Sequence, residues 1–137
     1  MKNLRGFLVT SLLLVLCLTF TVHAQVVTID FLNFSSSGEN EVHLEKMREI
    51  FQAQNPNIKV NIQTVGYGEY FVRLMTSVVA GTAPDAFELN FENFAAYAIK
   101  GTIQPLDGLI EKSGFDTSAS DSSALAAFTS DGKQYGL

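Results

Sequence analysis

Apolar and polar positions along the chain change period several times, and each change marks a new element. Val26-Val27-Thr28-Ile29-Asp30-Phe31-Leu32 is a short run of branched and aromatic residues ended by the polar stretch Ser35-Ser36-Ser37-Gly38, the pattern of a buried strand. From about Asn40 to Gln54, Leu44, Met47, Ile50 and Phe51 recur at three- and four-residue spacing, which is one face of a helix. Glu39 and Glu41 suit its positive N-terminal end. Asn55-Pro56 stops it, because the residue before proline is pushed out of helical geometry. Ile58, Val60 and Ile62 then alternate with Lys59, Asn61 and Gln63, so a second strand buries one face. Gly66-Tyr67-Gly68 breaks that strand. Phe71, Leu74, Met75, Val78 and Val79 return to helical spacing, with Gly81 placed as the left-handed residue that closes a helix. A short third strand is predicted over Asp85 to Leu89 and a third helix over roughly Phe94 to Lys100. A smaller helix capped by Asp107 follows Pro105. Thr117 to Ser123 reads as surface loop, and Asp131-Gly132 is a strong hairpin signal.

Strands and helices alternating in this order predict an α/β fold, an open, mainly parallel sheet with helices on both faces and right-handed crossovers. If the second and third strands flank the first, the two crossovers cover opposite faces and the chain reverses direction between strands one and three. Ligands of open parallel sheets bind at the C-terminal ends of the strands at such a reversal. The loops concerned are Phe34 to Asn40 and Asn90 to Asn93.

The first 24 residues stand outside this pattern. Lys2 and Arg5 form a positive start, Phe7 to Phe20 is an almost unbroken apolar run of 14, and Val22-His23-Ala24 offers the small residues of a cleavage site. This is the form of a secretory signal peptide cleaved after Ala24, which sends the remainder to the periplasm or the outside. The run is shorter than the roughly 20 apolar residues that span a bilayer. Residues 25–137 then form a single segment of one-domain size. Removing Lys2 and Arg5 leaves 7 basic against 14 acidic side chains, a formal charge of −7. An acidic surface is unsuited to nucleic acid, whose phosphates need a basic face. Cys17, the only cysteine, leaves with the signal, which excludes a disulfide framework and a thiolate metal site. Leu16 precedes it where a lipoprotein signal has a small residue, so lipid attachment is not expected.

The two loops at the reversal carry hydrogen-bonding groups with little positive charge. Ser35, Ser36, Ser37, Glu39 and Asn40 supply hydroxyls, an amide and a carboxylate beside a helix N-terminus, and Asn90, Glu92 and Asn93 supply two amides and a carboxylate around Phe91. Such groups pair with hydroxyls, and neighbouring rings can stack on an apolar sugar face. A neutral polyhydroxylated ligand fits. The alternatives are structural: the serines and Asn40 as turn and cap residues, Glu92 as a first-turn helix charge, and Tyr67 as either a ligand-stacking ring or loop packing. Phe34 and Phe91 serve equally as core residues, and His43 as a solvated helical residue. The sequence has no G-x-S-x-G, H-E-x-x-H, G-x-x-x-x-G-K-[ST] or G-x-G-x-x-G, and no cofactor is predicted.

Together VTIDFLNF, EIFQAQNPNIKVNIQ, GYGEYFVRLMTSVVAGTAPDAFELN, KGTIQPLDGLIEKSGFD and DGKQYGL resemble, in order and spacing, the extracellular solute-binding proteins of sugar ABC transporters, the group that includes the maltose-binding protein. The resemblance runs from about Val26 to Leu137. It implies two α/β lobes that close over a sugar about a hinge, a closed form that docks on a membrane permease, a monomer, and no catalysis. By position it implies Ser36, Ser37, Glu92 and Asn93 as ligand contacts, to which the loop reading adds Ser35, Asn90 and Tyr67. It also implies that residues 25–137 are the N-terminal part of the first lobe, truncated and without the second, with apolar surface and a strand edge exposed. A binding protein for an anionic or other solute is a second reading, because serines before a helix can cradle phosphate. A secreted carbohydrate-active enzyme fragment is a third, and a non-functional truncated product a fourth.

Overall fold

The computed structural model describes residues 25–34 and 38–137. The expected signal peptide, and with it the cleavage after Ala24, lies outside the described residues, as do Ser35, Ser36 and Ser37.

Strand β1 (Val27–Asn33), helix α1 (Glu39–Gln54), strand β2 (Ile58–Thr64), helix α2 (Tyr67–Val79) and strand β3 (Ala86–Phe87) follow in that order. The sheet runs β2-β1-β3 with both pairings parallel. β1 meets β2 along its whole length, Val27 opposite Ile58 through Asn33 opposite Thr64. In that register Val27, Ile29 and Phe31 share a face with Ile58, Val60 and Ile62, so the apolar alternation of the two strands matches. The same order makes the chain reverse direction between β1 and β3, and right-handed connections then put α1 and α2 on opposite faces. α1 runs along β2, where Gln52 Oε1 accepts from Val60 N at 2.8 Å.

The core lies between the sheet and α2. Tyr70 and Leu74, both at 0% exposure, meet Leu32, Val65 and Tyr97, with Phe34, Phe71, Met75, Val78 and Phe87 around them. Tyr70 also ties the strands together, its hydroxyl reaching Glu88 O at 2.7 Å and Leu32 O at 3.1 Å. Gly81 closes α2 at φ 71°, and Thr82 N donates to Ser77 O at 2.9 Å, the left-handed helix stop expected at that position.

β3 is shorter than the predicted Asp85 to Leu89, for a chemical reason. Only Ala86 and Phe87 have register partners in β1, and the backbone ladder ends with Glu88 N donating to Leu32 O at 3.0 Å. Beyond it the acceptors of β1 amides are side chains: Asp85 Oδ2 takes Asp30 N at 2.9 Å and Glu88 Oε2 takes Phe34 N at 3.1 Å. Two carboxylates thus lengthen a two-residue ladder.

Helix α3 (Phe91–Ile99) starts three residues before the predicted Phe94, because Asn90 caps it through its side chain. Helix α4 (Asp107–Ser113) follows Pro105, but Asp107 is not its cap. Leu106 holds that position without a side-chain bond, and the Asp107 carboxylate instead accepts from Gln134 N at 3.1 Å, 27 residues away. The expected loop at Thr117 to Ser123 gives way at its end to helix α5 (Ser122–Ala127), where Asp121 accepts from Ser123 N and Ala124 N. β4 (Thr129–Ser130) and β5 (Lys133–Gln134) form the predicted hairpin, turning through Asp131 at φ 49° and Gly132 at φ 72°. Exposed apolar side chains include Val42, Met47, Val72, Val79 and Ile99.

Candidate functional site

Three loops leave the C-terminal ends of the parallel strands on the same edge of the sheet. The loop after β1 begins with Phe34. Its backbone is pinned by Glu88, and its ring meets Tyr70 edge-on with centroids 4.8 Å apart. The loop after β2 is two residues long, Val65 and Gly66, so Tyr67 stands at the first position of α2. The loop after β3 reaches Asn90, Glu92 and Asn93 at the start of α3.

β2 and β3 lie on opposite sides of β1, yet Tyr67 and Asn90 touch. The Tyr67 ring crosses the end of β1 over Phe34, with centroids 5.3 Å apart and planes at 76°, and packs on Phe71 at 5.5 Å. At the far side its hydroxyl accepts from Asn90 Nδ2 at 2.9 Å. Tyr67 remains 53% exposed, so it is packed along one edge and open on the rest.

Asn90 is a junction. Its Oδ1 accepts from Asn93 N at 3.1 Å and from Asn93 Nδ2 at 2.7 Å, while Nδ2 reaches Tyr67 and, at 3.5 Å, Glu92 Oε2. The orientation of the amide is fixed by its partners, since a backbone N–H can only be met by the oxygen. Glu92 is exposed and Asn93 half-buried. Of the residues read from the sequence as candidates, Tyr67, Asn90, Glu92 and Asn93 therefore form one connected group, and Ser35, Ser36 and Ser37 lie outside the described residues. Phe91 is exposed beside them at 65%, whereas His43 is exposed on α1.

Two supporting residues escaped the sequence reading. Asn33, 2% exposed at the end of β1, donates through Nδ2 to Gln63 O at 3.3 Å and Thr64 Oγ1 at 3.2 Å, joining the ends of β1 and β2 beneath the loops. Glu88 holds the exit of β1. A polar residue closing an otherwise apolar strand was the available signal for both.

A groove of about 810 Å³ lies elsewhere, along the outer edge of β3 and under α3 and the hairpin, with Phe87, Leu89, Phe94, Ile103, Phe128 and Tyr135 in its walls. Its lining is mostly apolar and includes none of Tyr67, Asn90, Glu92 or Asn93, so it suits packing better than recognition of hydroxyls. Among the described residues no group of three His, Cys, Asp or Glu side chains could hold a metal ion, and no helix is long and apolar enough to cross a membrane.

The same architecture recurs in solved proteins. An ABC substrate-binding protein from Listeria monocytogenes in complex with cycloalternan is 45% identical, with a TM-score of 0.76 over 82% of this chain and 29% of that one. An extracellular solute-binding protein family 1 member from Alicyclobacillus acidocaldarius is 30% identical, with a TM-score of 0.72 over 82% of this chain and 28% of that one. A periplasmic oligogalacturonide binding protein from Yersinia enterocolitica, in complex with saturated digalacturonic acid, is 28% identical with a TM-score of 0.70, over 81% and 27% of the two chains. The chain spans about a quarter of the length of the curated Brucella relatives it matches, at 29% identity over 104 residues. Its sheet and helices thus have the form of a lobe of the periplasmic-binding-protein fold. The family model for bacterial extracellular solute-binding proteins matches residues 46–137, and the chain belongs to that family.

Proposed function

We propose that the protein is the substrate-binding component of an ABC transporter for sugar or oligosaccharide uptake, to which this chain contributes the N-terminal part of the first lobe. The observation that carries the reading is the convergence of Tyr67, Asn90, Glu92 and Asn93 at the C-terminal edge of the sheet, beside the β1–β3 reversal. A carboxylate, amides, a phenol and open aromatic surface complement hydroxyls and C–H faces. The resemblance to the cycloalternan-bound Listeria protein supports the same ligand class.

In this reading Ser36, Ser37, Glu92 and Asn93 contact the sugar, and Ser35, Asn90 and Tyr67 complete the site. The protein works beyond the cytoplasmic membrane after cleavage at Ala24, as a monomer, and delivers its ligand to a membrane permease. Its role is capture without covalent chemistry, so Glu92 accepts hydrogen bonds and no bond of the ligand is broken. The reading is tested by calorimetric titration of the full-length protein with a panel of neutral oligosaccharides and, in parallel, with sugar phosphates and inorganic phosphate. Saturable binding of a neutral sugar, recovered chemically unchanged, is the expected result. Binding confined to the anions, or release of cleaved glycan, overturns it.

A further inference from the structure

Tyr67 and Asn90 have a relation that the ligand-binding reading does not by itself require. Both lone-pair positions of Asn90 Oδ1 are taken by Asn93, and the two protons of Nδ2 face Tyr67 and Glu92 at 2.9 and 3.5 Å. Three of its contacts are short bonds within the protein, and only the long one to Glu92 is weak, so the amide is committed mainly to Tyr67 and Asn93. The phenol is in the opposite condition. Its oxygen is engaged as an acceptor, its proton must point away from Asn90, and no described residue accepts it, although half of the side chain is exposed.

We propose that Asn90 is a positioning residue that turns the Tyr67 hydroxyl into a ligand-facing donor and holds it beside the Glu92 acceptor, so that the pair reads adjacent hydroxyl groups of a neutral sugar. Rest on the sugar-binding reading it does, but it assigns separate roles within the site. One amide bridges the two oxygens, which keeps them no further apart than the sum of its two contact distances. One hydroxyl of the ligand accepts from Tyr67 while it or its neighbour donates to Glu92. A phosphate or carboxylate would meet the Tyr67 donor but also the Glu92 charge, so the unit selects against anions.

The edge contacts of Tyr67 on Phe34 and Phe71 are what allow one residue after β2 to act on a site after β3. They fix the ring without using its hydroxyl. Tyr67→Phe therefore removes the donor and keeps the packing. Asn90→Asp keeps an acceptor for the α3 cap, because a carboxylate serves that position as well as an amide oxygen, but it removes both Nδ2 donors.

The test is calorimetry on the full-length protein with the neutral oligosaccharide that binds best in the panel, using the wild type, Tyr67→Phe, Asn90→Asp, the double variant and Glu92→Gln. Losing a hydrogen bond of ordinary strength corresponds to roughly 3- to 10-fold in affinity. Tyr67→Phe and Asn90→Asp are each expected to weaken binding by about that factor, and the double variant by less than the product of the two, since both act through one hydroxyl. Urea midpoints of Tyr67→Phe and Asn90→Asp should stay near that of the wild type, which separates positioning from folding. If Glu92→Gln weakens sugar binding while Tyr67→Phe and Asn90→Asp leave it unchanged, or if their effects multiply, the inference fails and the sugar-binding reading stands. If no neutral sugar binds the wild type, that reading itself fails.

Discussion

Replacing Tyr70 by phenylalanine should cost the protein stability out of proportion to the single oxygen removed. The side chain is fully buried, and its hydroxyl serves Glu88 O at 2.7 Å and Leu32 O at 3.1 Å. Leu32 O keeps a second donor, Glu88 N at 3.0 Å. The bond to Glu88 O is the shorter of the two, so the change removes one net hydrogen bond between α2 and the strand ends. A net bond is worth about 0.5–1.5 kcal/mol, so a loss near 1 kcal/mol follows. With a urea slope of about 1–3 kcal/mol/M for a small domain, the unfolding midpoint should fall by about 0.5 M at unchanged slope. Tyr97→Phe is the matched control. Tyr97 is 4% exposed, but its hydroxyl bonds to no described residue, so the same chemical change there should cost much less. Equal midpoints for the two variants would refute the reasoning, because burial alone, rather than the strand-bridging bonds, would then explain both.

The same residue predicts a pH dependence. Burial pushes the Tyr70 phenol well above the ordinary tyrosine value of 10.0, the negative Glu88 adds to the rise, and the bond to the Glu88 backbone opposes it; burial also raises Tyr97. An unfolded tyrosine loses its proton near pH 10 while the folded one keeps it, so this contribution is intact below pH 10 and declines as pH climbs above it. Denaturant titrations from pH 8 to 11.5 should show that decline, and Tyr70→Phe should flatten it.

Leu74→Ala empties a position of 0% exposure and should destabilise the protein by about 3–5 kcal/mol, read from urea unfolding. Gly81→Ala meets no atom within 4 Å but must hold φ 71°, so the expected cost is the left-handed backbone penalty of about 1–2 kcal/mol, measured in the same way. An unchanged midpoint for Gly81→Ala would mean that the end of α2 relaxes without loss.

Local periodicity carried the main elements because each depends mostly on its own residues. The alternation of Ile58, Val60 and Ile62 and the helical spacing of Phe71, Leu74 and Val78 survive in β2 and α2. Where a partner lies far along the chain, the pattern misleads. Asp107 sits where a cap residue belongs, yet its carboxylate is drawn to Gln134. Asp85 and Glu88 lie in a predicted strand, but their side chains take over acceptor positions beside a ladder of two residues. α5 was hidden because six residues cannot display a helical period, leaving only the cap Asp121 as a sign.

The candidate site follows the same division. Asn90, Glu92 and Asn93 are neighbours in sequence, so their grouping is legible once the strand order is inferred from the alternation of elements. The place of Tyr67 is not, because two readings of one aromatic ring, packing and ligand contact, look like alternatives in a sequence. In the folded chain they are compatible. The β2-β1-β3 order puts a single strand end between Tyr67 and Asn90, and Phe34 fills that gap with a ring on which Tyr67 can lean. Packing spends the edge of the ring and leaves the hydroxyl to span the gap to Asn90. The packing that makes Tyr67 structural therefore leaves its proton available for the proposed ligand contact, and a substitution that preserves the ring while deleting the oxygen separates the two roles.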